Sequence, residues 1–182
     1  MECRLNNICV FCGASPGNGH EYAEAARVLG HTMADRGIGL VYGAGNVGLM
    51  GELADAVLSA GGRVTGVIPE MLVNRELAHR AITELYVVSN MHERKAKMHD
   101  LSDAYIALPG GIGTMEEFFE AVTWRQLGYH DKPIAMLNVD RFYDGIVSFF
   151  ATMQHNGFLH SDHRELFFTE TSPENLINRL IG

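Results

Sequence analysis

The residue types that could do chemistry gather in three short stretches. The first is Pro109-Gly110-Gly111-Ile112-Gly113-Thr114, set between the apolar run Ala104 to Leu108 and an amphipathic run that starts at Met115. A strand, a glycine turn and a helix start make an anion site. The glycines open positive φ to the backbone and let a ligand approach the main chain. Unpaired N–H groups and the positive end of the helix dipole point at one spot, which suits a nucleotide phosphate. Thr114 is placed to cap the helix, with Glu117 at capping-box spacing. Glu116 and Glu117 then fall in the first turn, where the helix terminus favours their ionised form. An ionised glutamate suits a general base or a stabiliser of positive charge. Glu120 reads as part of a solvated face.

The second stretch is the helix expected from Asn90 to Leu101, with Asn90 as cap and Glu93 at N3. At ~100° per residue, Met91, Arg94, Lys95, Met98 and Leu101 share one arc. Two cations among core residues either snorkel to water or meet an anionic ligand or a carboxylate in a crevice. Glu93 and Lys97 fall on the other side as an exposed i,i+4 pair. The third stretch, Gly43-x-Gly45-x-x-Gly48, matches the dinucleotide fingerprint, and Glu70 follows at about the right distance. It follows the second expected strand rather than the first, and a dinucleotide there would leave the 109–114 loop without a role. Glycines that serve close packing are the competing account. Gly13 and Ser15 follow the first strand, and Ser15 reads as a phosphate contact or a turn cap.

These stretches need elements to position them. Apolar runs at Asn7–Cys12, Ile38–Tyr42, Arg63–Ile68, Glu84–Ser89, Ala104–Leu108, Pro133–Val139 and Leu166–Thr169 read as strands. Helical patterns lie between them, at His20–Arg36, Leu49–Ala60, Asn90–Leu101, Thr114–Leu127 and Arg141–His155, and a last helix starts at Ser172-Pro173. Glu70 to Thr83 is polar, irregular and long enough to be a binding loop. The alternation predicts an α/β fold, a Rossmann-like doubly wound parallel sheet in one domain over residues 1–182. Ligands in such folds bind beyond the carboxyl ends of the strands.

Composition narrows the partners. The 182 residues carry a formal net charge of −8, which disfavours a nucleic-acid backbone or an anionic membrane. No apolar run approaches the ~20 residues of a spanning helix, so a cytoplasmic setting is expected. Cys9 and Cys12 lie in an apolar strand, where residues three apart face opposite ways; they read as core. No P-loop, H-E-x-x-H or G-x-S-x-G pattern occurs. His160 and His163 lack a third ligand nearby, so no metal is expected.

Taken together, Gly43-Ala44-Gly45-Asn46-Val47-Gly48-Leu49-Met50-Gly51, Met91-His92-Glu93-Arg94-Lys95 and Pro109 through Glu117 resemble the LOG (LONELY GUY) family. Its members are cytokinin riboside 5′-monophosphate phosphoribohydrolases, often mislabelled as lysine decarboxylases. The resemblance implies a homodimer, no cofactor, and hydrolysis of the N-glycosidic bond of an adenosine monophosphate, N6-modified or not. It matches Arg94 and Glu117 to the catalytic pair. It matches Glu76, Lys95, Gly111 to Thr114 and Thr123 to nucleotide-binding positions, and the neighbouring Gly110, Met115, Glu116, Gly13, Ser15 and Gly45 are expected beside them. Ala44 stands where the family usually has a third glycine, which would narrow the pocket. Two other classes stay open: a Rossmann-like carrier of a phosphorylated cofactor, as molybdenum cofactor carriers are, and an NAD-dependent oxidoreductase.

Overall fold

The computed structural model describes residues 5–73, 78–160 and 162–182. Its strands are β1 (Asn7–Phe11), β2 (Gly39–Tyr42), β3 (Val64–Pro69), β4 (Glu84–Val88), β5 (Ala104–Ala107), β6 (Ile134–Leu137) and β7 (Phe168–Glu170). They form one sheet in the order β4-β3-β2-β1-β5-β6-β7, and every pairing is parallel. The chain winds outward from β1 to β4, then returns to place β5 on the other side of β1. That reversal opens a crevice at the carboxyl ends of β1 and β5.

The helices are α1 (His20–Asp35), α2 (Gly48–Ser59), α3 (Met91–Asp100), α4 (Ile112–Gln126), α5 (Asp144–His155), α6 (His163–Leu166) and α7 (Pro173–Ile181). One core packs Leu29, Leu53, Val57 and Leu176 from α1, α2 and α7 against Ile8 and Val10 of β1. The other packs Met98, Phe118, Val122 and Phe150 from α3, α4 and α5 against Cys9 and Phe11. Cys9 and Cys12 are buried free thiols in opposite cores, as the strand period requires.

Several boundaries differ from the expectation, two of them after β6. The helix expected from Arg141 starts at Asp144, because Asp140 (φ 46°) and Arg141 (φ 62°) are both left-handed. Leu166 ends the short α6, so β7 starts at Phe168. No described helix is long and apolar enough to cross a membrane.

Candidate active site

The glycine cradle is built from β5 and α4. Gly111, with extended backbone, is the N-cap of α4, and Ile112 is its first residue. The first intrahelical bond runs from Met115 N to Gly111 O, 3.2 Å, so the N–H groups of Ile112, Gly113 and Thr114 have no carbonyl partner within the helix. Thr114 is therefore inside the helix and not its cap. Its hydroxyl packs against Gly110, where a Cβ would lie 2.1 Å from Thr114 Oγ1. None of Gly110, Gly111 and Gly113 uses positive φ. Gly110 is needed for close approach, while at Gly111 and Gly113 a Cβ would meet nothing within 4 Å. Because the helix starts earlier than expected, Glu116 and Glu117 fall in its second turn, where the dipole acts more weakly on them.

Asn90 caps α3 as expected, accepting from Glu93 N at 3.0 Å, while Glu93 returns to Ser89 N at 2.9 Å. That capping box occupies Glu93, and Lys97 sits over the Tyr86 ring, so the expected Glu93–Lys97 pair does not form. Arg94 is 5% exposed. Its Nε donates to Val67 O at 3.1 Å and its Nη2 to Gly43 O at 2.8 Å. The guanidinium thus spans the ends of β2 and β3. Burial first, then the Glu117 carboxylate, push the Cys9 and Cys12 thiols up, and Arg94 pulls Cys9 back. Both charges reach the back of β1.

Lys95 turns to α4, donating to Glu116 Oε1 at 2.6 Å and Glu120 Oε2 at 2.7 Å. Glu120 is thus an ion-pair partner and not merely a solvated side chain. Burial alone would lower the Lys95 pKa; the two carboxylates outweigh it and raise it.

These parts open on a cavity of about 530 Å³, a size that suits a small ligand. Of the expected residues, Gly13, Ser15, Arg94, Gly110, Gly111, Gly113, Thr114, Glu116 and Glu117 line it. Ile112, Met115, Lys95, Thr123 and Gly45 lie outside it, and Glu76 is outside the described residues. Gly45 instead backs onto Met50 and bridges to Ala78. The methyl of Ala44 points at Gly66 of β3, so it does not narrow the cavity. Tyr22, Met50, Leu72, Met91 and Phe142 also line it; Leu72 lies in the 70–83 stretch expected as a binding loop, and the other four were not foreseen. Met91 lay on the inward arc with Arg94, which was a usable signal; Tyr22, Met50 and Phe142 carry none in their local pattern. Among the described residues, no group of three His, Cys, Asp or Glu side chains is placed to hold a metal.

Fold and cavity define a Rossmann-like protein with a glycine cradle at a helix start and an arginine–glutamate constellation beside it. Residues 50–180 match a family model described as possible lysine decarboxylase. The chain is 44% identical over 180 residues to a cytokinin riboside 5′-monophosphate phosphoribohydrolase of Arabidopsis thaliana, covering 99% of this chain and 84% of that one. It is 46% identical over 177 residues to one from Oryza sativa subsp. japonica, covering 97% and 73%. The chain belongs to the LOG family of cytokinin riboside 5′-monophosphate phosphoribohydrolases. Among solved structures, the molybdenum cofactor binding protein of Rippkaea orientalis superposes with a TM-score of 0.72 at 24% identity, covering 98% of this chain and 96% of that one. The molybdenum cofactor carrier of Chlamydomonas reinhardtii gives 0.73 at 20%, covering 97% and 96%. These two share the fold.

Proposed function

We infer that the protein hydrolyses the N-glycosidic bond of an adenosine 5′-monophosphate, N6-modified or not, to the free base and ribose 5-phosphate. The observation that carries this reading is the convergence of Arg94, Glu117 and the start of α4 on one cavity. With the 5′-phosphate on the N–H groups of Ile112 to Thr114, the ribose lies toward Glu117 and Arg94. The base then extends toward Met50, Leu72 and Met91. Cleavage builds oxocarbenium character on the sugar. The Glu117 carboxylate facing C1′ stabilises that charge and orients water. Water adds to C1′, and the base leaves with the electron pair of the C1′–N bond and takes up a proton. Arg94, pinned by two strand-end carbonyls, orients Glu117 or the phosphate through charge-assisted hydrogen bonds.

Decarboxylation of lysine through pyridoxal phosphate would need a Schiff-base lysine in the cavity. No lysine stands among its described lining residues, and Lys95 is held protonated by two carboxylates. The second glycine loop gives its space to Arg94 and Met50, which argues against a dinucleotide there.

The test is base release from AMP and from its N6-isopentenyl analogue. Glu117→Gln should lose about 10²- to 10⁴-fold in turnover; undiminished turnover removes Glu117 from the mechanism. Tight nucleotide binding with no base release would favour the carrier reading instead.

A homodimer in the cytoplasm is part of the same proposal. Met71, Val87 on the edge strand β4, and Ile112 are exposed apolar side chains that a second copy would cover. Thr123, exposed on α4 outside its own cavity, would then face the neighbouring subunit. Sedimentation of the wild type and of Val87→Lys reads the dimer directly.

A further inference from the structure

The turn after β2 gives consecutive carbonyls to two different partners. Gly43 O accepts from Arg94 Nη2 at 2.8 Å, and Ala44 O accepts from His79 N at 2.8 Å. Ala44 is left-handed at φ 64°, a backbone conformation that persists where its surroundings over-determine it. The next residue, Gly45, makes an antiparallel bridge to Ala78. Residues 78 and 79, the returning leg of the segment between β3 and β4, thus lie directly on the turn that seats Arg94.

The same leg reaches toward the cavity wall. Ala78 N donates to Val73 O at 3.1 Å, and Leu72, one residue earlier, lines the cavity. At Gly66 of β3 a Cβ would lie 2.6 Å from both the Ala44 methyl and Ile82 Cδ1, so the strand leaves room there for turn and leg together. The His79 side chain then ties the leg to a third element. His79 is 6% exposed, and its Nε2 donates to Asp55 Oδ1 of α2 at 2.9 Å. Asp55 is itself largely exposed, so the charge of the pair adds little to stability. Its effect is on direction: a buried ring held to a helix side chain fixes where the backbone of residues 78 and 79 lies.

We propose that His79, held by Asp55, is a positioning residue of the site: it keeps the returning leg on the turn after β2 and so sets the Gly43 carbonyl that aims Arg94 at the reacting sugar. The proposal rests on the hydrolase reading above. Neither His79 nor Asp55 lines the cavity, so their effect on turnover passes through the turn and Arg94. Displacing a positioned group by about 1 Å costs about 100-fold in rate, and a turn loosened rather than displaced should cost about tenfold.

The test measures base release from AMP by wild type, His79→Ala, Asp55→Ala and the double variant, each below its own melting transition, with amide hydrogen exchange over residues 43–51 as a second readout. Each single alanine variant should lower kcat about tenfold with KM within about threefold of wild type. The double variant should be about as slow as His79→Ala, because the two changes break one contact. His79→Gln, which keeps an N–H donor for Asp55, should recover most of the loss. Exchange over residues 43–51 should quicken in both alanine variants, while exchange over α7 should not. An unchanged kcat in both alanine variants overturns the proposal whatever their melting temperatures, and so does a loss confined to KM or losses that multiply in the double variant. A wild type that releases no base overturns the hydrolase reading; the exchange then decides by itself whether His79 holds the turn, and unchanged exchange overturns that too.

Discussion

Two glycine loops leave the carboxyl edge of the same sheet, each between a strand and a helix, and they do opposite things. At Gly111 and Gly113 a side chain would project into empty space. At Gly43, Gly45 and Gly48 it would strike, in turn, Arg94 Nη2 at 2.2 Å, Met50 Sδ at 2.9 Å and the Ala14 carbonyl carbon at 2.3 Å. In the 110–114 loop only Gly110 is packed, against Thr114, while Gly111 and Gly113 face open space. The 43–48 loop is filled by the protein's own atoms: it receives Arg94 and lies against the loop after β1. Glycine content alone says that something comes close to the backbone, and the neighbours decide whether that something is a ligand.

The comparison breaks at four places, taken from the largest effect down. Gly48→Ala should cost about 3 kcal/mol in urea unfolding, by adding left-handed strain at φ 61° to a backbone clash. A cost below about 1 kcal/mol would show that the second loop is not packed as described. Gly43→Ala meets the Arg94 guanidinium, which is buried and held by two carbonyls, so displacing it should cost about 1–3 kcal/mol in urea unfolding. The same displacement should lower base release by about 100-fold. Gly113→Ala should move two readouts in opposite directions. It should stabilise the helix by about 0.5–1 kcal/mol while weakening AMP binding by about tenfold in calorimetry, because the methyl enters the cavity. A variant both more stable and equally tight would mean that no ligand sits on that loop. Ala44→Gly should be the smallest. It relieves left-handed strain at φ 64° but loses a buried methyl and loosens the unfolded chain, so its stability should stay within about 1 kcal/mol of wild type. The preference among N6-modified bases should not change, because the methyl faces Gly66.

Much of this was legible in the residues. Alternating strand and helix patterns led to the parallel sheet, and Asn90 with Glu93 marked the start of α3 because a capping box is a local bond pattern. The same logic misplaced the start of α4. Thr114 and Glu117 have capping-box spacing, but Gly111 can take the extended cap conformation three residues earlier, and burial against Gly110 uses the Thr114 side chain. Arg94 was found from its arc, whereas its partners, Val67 and Gly43 carbonyls, belong to other strands and leave no trace near position 94. Tyr22 and Phe142 were missed for a related reason. They become neighbours through the lateral order of strands, which pattern along the chain does not encode. Lys95 and Glu120 were read separately because their meeting depends on how α3 and α4 lie side by side.

The return of the chain to β1 sets a condition on synthesis. Strands β1 to β4 can assemble as the amino-terminal half emerges, since each pairs with a strand already made. β1 then keeps one edge bare until β5 arrives, and only at that moment does Gly13 N find Pro109 O. A nascent chain stalled before that point would hold a half-sheet with an open flank and no grip on nucleotide. The ligand can therefore reward only the finished fold.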